Sequence, residues 1–125
     1  MNLQDAAFIV AGAIGSGVAV VHGIVTQRLM ARPLQKAAVA PIAPPITTLA
    51  ALLLHFSTFN WFVGGLALLL AAFAFGREGR LATGLLVGSS YLFGALVNLY
   101  ASRGRHPGWV LYAAALLLIA YGLGD

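Results

Sequence analysis

The sequence contains no cysteine. That excludes disulfides, thiolate metal sites and a cysteine nucleophile together. Charge is also scarce. Only 8% of the 125 residues are charged, and the acids are Asp5, Glu78 and Asp125. A soluble domain carries about 25% charged residues. A chain that is 61% hydrophobic cannot cover itself with a water-compatible surface, so lipid is the expected solvent. No Asp, Glu, Lys or Arg interrupts the long apolar runs. This argues against a pump or cation exporter built on an intramembrane carboxylate. With Asp5 and Asp125 at the chain ends, no Ser-His-Asp set can assemble at membrane depth, so hydrolase chemistry is not expected.

What the chain does contain is four apolar segments. The most prominent, residues 46–75, has His55 and Asn60 as its only strongly polar residues. A helix needs about 20 apolar residues to cross a bilayer at 1.5 Å per residue. Spans are expected at 6–27, 46–75, 81–101 and 108–123, which use nearly the whole chain as one domain, residues 1–125. The expected fold is all-α, an integral membrane antiparallel four-helix bundle, because helices satisfy their own backbone in lipid. The first segment is read as a retained span, since it lacks a basic leader and only Asp5 precedes it as a charge.

Small residues mark the packing faces. In the first span, Gly12, Gly15, Gly17 and Gly23 recur, and Ala11, Gly15, Ala19, His22 and Thr26 share one side. In the second, Ser57, Asn60, Gly64, Ala67 and Ala71 oppose a bulky side with His55, Phe59, Phe62, Leu66 and Leu69. In the third, Gly84, Gly88, Tyr91, Ala95, Asn98 and Ser102 align. Such stripes let helices approach closely in lipid. Gly12, Gly15, Asn60, Gly64, Gly84 and Gly88 are therefore the candidate packing positions. Trp109, Tyr112 and Tyr121 lie near the ends of the last span, as an aromatic belt would place them.

The net charge of +4 serves topology rather than nucleic acid. Arg28, Arg32 and Lys36 in connection 28–45, with Arg103 and Arg105 in turn 102–108, outnumber Arg77 and Arg80. The positive-inside rule then makes both connections cytoplasmic and both termini periplasmic in a bacterial inner membrane. Pro33 is expected to start a short interfacial helix, and Pro41, Pro44 and Pro45 to end it and launch the second span. Residues 76–80 read as a polar turn, with Glu78 paired between two arginines, and His106 reads as a solvated or headgroup-facing residue.

Placed by depth, His22, His55, Asn98 and Tyr112 come from four helices to one level near the basic side, with Thr26 and Thr58 beside them. Polar groups in lipid need partners. They either bond one another and lock the helices, or form a ligand site. Two neutral imidazoles could hold haem b, hydrogen-bond a quinone, or bind a metal with water.

Two resemblances attach to these residues. Val21-His22-Gly23, then the run Arg28 to Leu34 with its Pro33-Leu34 pair, then Leu54-His55-Phe56-Ser57-Thr58 and Trp61, resemble a family of small uncharacterised four-span bacterial membrane proteins. The resemblance covers mainly the first half and implies the fold without an activity. Where relatives often carry Gly-Glu, this chain has Ile24-Val25-Thr26-Gln27. Phe56-Ser57-Thr58-Phe59 is similar to the pore segment of dual-topology fluoride channels, which would imply a phenylalanine-lined ion path. There the segment lies in the third span and follows the family's asparagine; here it lies in the second and precedes Asn98. The leading expectation is a non-catalytic accessory subunit that packs against itself or a membrane protein partner. A redox or ligand-binding protein using His22 and His55, and a small channel or transporter, are the alternatives.

Overall fold

A computed structural model describes residues 2–36 and 44–124. It is helical apart from short turns, and no strand occurs among the described residues. Helix α1 is Leu3–Thr26. Its start is fixed by a reciprocal cap: the Asn2 side chain accepts from the Asp5 N–H at 2.7 Å, and the Asp5 carboxylate accepts from the Asn2 N–H at 2.9 Å. A π-helical turn, Gln27–Ala31, leads on into α2, Arg32–Lys36. The expected interfacial segment is thus a continuation of α1, with Pro33 in its first turn. Pro41 and the middle of the basic connection lie outside the described residues. Helix α3, Pro44–Ala74, opens on two prolines, where a missing N–H costs nothing. Helices α4, Arg77–Ser102, and α5, Gly108–Gly122, complete the chain.

Three helical stretches are long and apolar enough to cross a membrane: Leu3–Leu34, Pro44–Ala74 and Arg77–Ser102. Helix α5 is apolar but has 15 residues. Helices α1 and α4 each pack against both α3 and α5. Along α1 and into the π-helical turn, positions 12, 23 and 27 meet positions 65, 58 and 55 of α3 in turn. Along α4, positions 84 and 94 meet positions 119 and 112 of α5.

The interior is built from small and aromatic residues. Ala7, Ala11, Ala19, Ala71, Ala72, Ala95 and Ala115 are buried with Phe8, Trp61, Leu68, Tyr91, Tyr112 and Ile119. Many leucines and every phenylalanine but Phe8 turn outward; Phe73, Leu86 and Leu117 are each more than 70% exposed. This inversion suits helices that gain contact by close approach rather than by hiding from water. The closest approach is α1 on α3. A Cβ on Gly12 would lie 2.6 Å from the Gly65 carbonyl oxygen, and one on Gly65 would lie 2.7 Å from the Gly12 carbonyl oxygen.

The connection between α3 and α4 is shorter than the expected 76–80 turn. Gly76, in extended conformation, caps a helix that already includes Arg77, and Glu78 in its first turn complements the helix N-terminus. Arg80 turns to Asp5 of α1 at 2.6 Å and donates to the carbonyls of Ala72 and Phe75 at the end of α3. One guanidinium therefore ties three helix ends together.

Candidate functional site

Four rings, one from each main helix, form a continuous chain across the interior. His22 of α1 meets Trp61 of α3 edge-on, with centroids 4.7 Å apart and planes at 75°. Trp61 meets Tyr112 of α5 at 5.0 Å, and Tyr112 meets Tyr91 of α4 at 5.1 Å. Glycines make the room. A Cβ on Gly15 would overlap the Tyr91 hydroxyl, and one on Gly94 would lie 3.1 Å from the Trp61 ring. Each such ring pair contributes about 0.5–1.5 kcal/mol beyond the area it buries.

The histidines of α1 and α3 are held separately. His22 Nδ1 is hydrogen-bonded to the Thr58 hydroxyl at 3.0 Å and lies 3.3 Å from that of Thr26, which is buried. His55 Nε2 donates to the Gln27 side-chain oxygen at 2.7 Å. Gln27 belongs to the π-helical turn, and its side chain supplies the cover that the bulky side of α3 lacked in sequence. Phe59 of that side is 63% exposed, and His55 does not line the cavity described next.

That cavity, of about 260 Å³, lies where α1 passes the α4–α5 turn and the start of α5. Its polar lining is His22, Asn98, His106 and Tyr112; Gly17, Val18, Val21, Val25, Pro107 and Leu111 make most of the rest. Among the described residues, no Asp, Glu, Lys or Arg lines it. The turn beneath it is tightly ordered. Ser102 donates to the Asn98 carbonyl, the His106 N–H donates to the Ser102 hydroxyl at 3.2 Å, and the Gly108 N–H donates to His106 Nδ1 at 3.0 Å. Arg103 and Gly104 both adopt left-handed conformations to close this turn, with φ of 52° and 79°. Because His106 Nδ1 accepts, the neutral ring carries its proton on Nε2. Asn98 donates from Nδ2 to the Gly94 carbonyl at 2.8 Å, which leaves its side-chain oxygen as an acceptor. Tyr112 is 1% exposed, and its buried hydroxyl has no hydrogen-bond partner among the described residues.

No family model, curated protein or solved structure matches this chain. The site therefore rests on its geometry alone. Of the six residues singled out by depth, His22, Asn98 and Tyr112 share the cavity, Thr26 and Thr58 support His22 from behind, and His55 stands apart on Gln27. His106, read as a solvated or headgroup-facing residue, is exposed, and it also lines this cavity, which sequence reasoning did not foresee. Its signal was the spacing of Ser102, His106 and Gly108, which closes on itself only through the two left-handed residues. No group of three His, Cys, Asp or Glu suited to a metal occurs among the described residues.

The packing glycines divide by partner. Gly64 faces Val87, Gly84 faces Ile119 and Leu123, and Gly88 faces Leu116, all within the chain. Asn60 donates to Ser90 at 2.8 Å on an exposed part of the α3–α4 seam. In the fluoride-channel-like segment, Phe56 and Phe59 lie on the outer surface, 64% and 63% exposed, and line no internal path among the described residues.

Proposed function

We propose that this chain is a non-catalytic integral membrane protein of four antiparallel spans, an accessory subunit that holds a small ligand taken from the bilayer. The cavity beside His22, Asn98, His106 and Tyr112 carries this reading. It has the composition expected of a binding site, mostly apolar with a few placed polar groups, and it lies just below the usual range of about 300–1,000 Å³ for drug-sized ligands. Among its lining residues, Val21 and Leu111 are 62% and 43% exposed, which supports entry of a ligand from lipid.

The membrane setting is supported by the outward apolar surface and by the three spanning-length helices. The opposed order of contacts along α1 and α3, and along α4 and α5, supports the antiparallel arrangement. Helix α5, at about 22 Å for 15 residues, is short for a core of about 30 Å. Local thinning and the flanking aromatics Trp109 and Tyr121 would accommodate it. Basic residues gather at the cavity end, which the positive-inside rule assigns to the cytoplasm.

Gly17 provides the test. It lines the cavity, and a Cβ there meets nothing within 4 Å. Gly17→Leu should fill the space with the helices undisturbed. Native mass spectrometry of protein released from nanodiscs should find a small lipid-soluble molecule on the wild type and none on Gly17→Leu. The same bound mass on both proteins, or on neither, would refute the reading.

A further inference from the structure

We infer that the cavity receives the ring of a quinone, bound without chemistry and with its tail left in the lipid; this rests on the ligand-site reading above. The polar groups define the head. His106 offers an N–H from Nε2, because Nδ1 is taken by the Gly108 amide. Asn98 offers its side-chain oxygen. His22, with Nδ1 engaged by Thr58, has Nε2 held only by a long 3.5 Å contact with the Thr26 hydroxyl. The Tyr112 ring forms part of the wall, and its hydroxyl is buried and unpartnered among the described residues. In a low-dielectric interior such a group is costly.

This set both donates and accepts, and it carries no formal charge when the histidines are neutral. It suits a neutral head whose oxygens accept as carbonyls and donate as hydroxyls, which are the two forms of a quinone. It does not suit a phosphate headgroup, because no Lys or Arg among the described residues lines the space. The volume of about 260 Å³ accommodates one substituted ring. A haem macrocycle needs more room, and His55 is not there to supply a second axial nitrogen. The aliphatic walls of Val18, Val21, Val25 and Leu111 fit ring faces and a first tail segment. Val21 and Leu111 lie where the tail would pass into lipid.

Trp61 is a built-in reporter. Its ring centroid is 4.7 Å from that of His22 and 5.0 Å from that of Tyr112, two walls of the cavity. The chain has two tryptophans, so Trp109→Phe leaves Trp61 alone. This variant, in nanodiscs, is titrated with a decyl-tailed dimethoxy-methyl-benzoquinone while Trp61 emission is followed. The expected result is saturable quenching above the linear collisional background. Gly17→Leu in the same background should abolish the saturable part. His106→Ala should weaken it about tenfold, while Ser89→Ala, on the outer surface of α4, should leave it unchanged. Far-UV circular dichroism confirms that each variant is folded. Quinone should also raise the unfolding midpoint of the parent and not that of Gly17→Leu. Linear quenching of equal slope in parent and Gly17→Leu would overturn the quinone assignment. If the Gly17-dependent bound mass persists in that case, the ligand site stands with another neutral amphiphile as occupant. If it is absent too, both readings fall.

Discussion

The sharpest structural prediction concerns Gly65. A methyl group there would lie 2.7 Å from both the Gly12 carbonyl oxygen and the Ser16 amide nitrogen, and would overlap the Ser16 hydroxyl. Two of these three neighbours are backbone, so no rotamer change can relieve the clash; α1 and α3 must separate. Overpacking costs about 1–3 kcal/mol, and a backbone collision belongs at the upper end. Replacing a helical glycine by alanine returns about 1 kcal/mol of helix propensity. Gly65→Ala should therefore lose about 2 kcal/mol net, the difference of those two terms. Gly17→Ala is the matched control. It is the same substitution in a neighbouring helix with open space around the new methyl, so only the propensity gain remains. Reversible unfolding in mixed micelles by added sodium dodecyl sulfate, followed by far-UV circular dichroism, measures both. Equal stability of the two variants would refute the claim that α1 and α3 meet backbone to backbone at this point.

Three other outcomes follow from the polar contacts. Gln27→Leu should strand the His55 N–H and cost about 0.6 kcal/mol, up to about 1.7, the range for interhelical hydrogen bonds in membranes. A double-mutant cycle with His55→Leu should show that the two losses do not add, and full additivity would deny the bond. Tyr112→Phe should leave the stability of ligand-free protein unchanged or slightly raised, because the hydroxyl has no partner to lose; clear destabilisation would mean that it has one. Arg80→Gln should fray the last turn of α3 as well as break the link to Asp5, whereas Asp5→Asn, with one acceptor oxygen for both the Asn2 N–H and Arg80, should weaken the α1 cap and the link but not the end of α3. Amide exchange at the end of α3 should therefore rise in the first variant more than in the second.

The number, order and approximate limits of the helices were legible because each is a long apolar run bounded by charge or proline. The buried side of α1 was legible too: Ala11, Gly15, Ala19 and Thr26 are all buried, as their spacing on one side suggests. The α3 surface was harder. Its helix is apolar almost all round, and the stripe of small residues picked out Gly64 and passed over Gly65. The structure uses both, Gly65 towards α1 and Gly64 towards α4. The partner of His55 was hidden for a different reason. Gln27 looked like a residue at the end of a span, and only the π-helical turn keeps it helical and places its amide over α3. Depth alone grouped His22 with His55, but depth carries no angular information, and the two face different neighbours. Arg80 was read with Glu78 because they are close in sequence; its partner Asp5 lies 75 positions away, where no local pattern could point to it.

The position of the cavity follows from how α1 and α5 meet. At one end they touch tightly: Phe8 lies on Gly122, and Gln4 donates to the Gly124 carbonyl. At the other end, the Gly17 side of α1 looks onto open space, and Gly108 begins α5 with no side chain of its own. A Cβ at Gly108 would lie 2.8 Å from His106 Nδ1 and 3.6 Å from the Asn98 side-chain oxygen. Gly108 thus lets its amide hold His106 and keeps the wall thin. Gly108→Ala should therefore displace His106 without filling the cavity, while Gly17→Leu should fill the cavity without displacing His106. The His106 ring signals in a nuclear magnetic resonance spectrum should shift strongly in the first variant and little in the second. Loss of bound ligand from Gly17→Leu alone would mean that the space matters and the His106 hydrogen bond does not. Loss from both would mean that the ligand is recognised through its polar head, and retention in both would remove the cavity as a binding site.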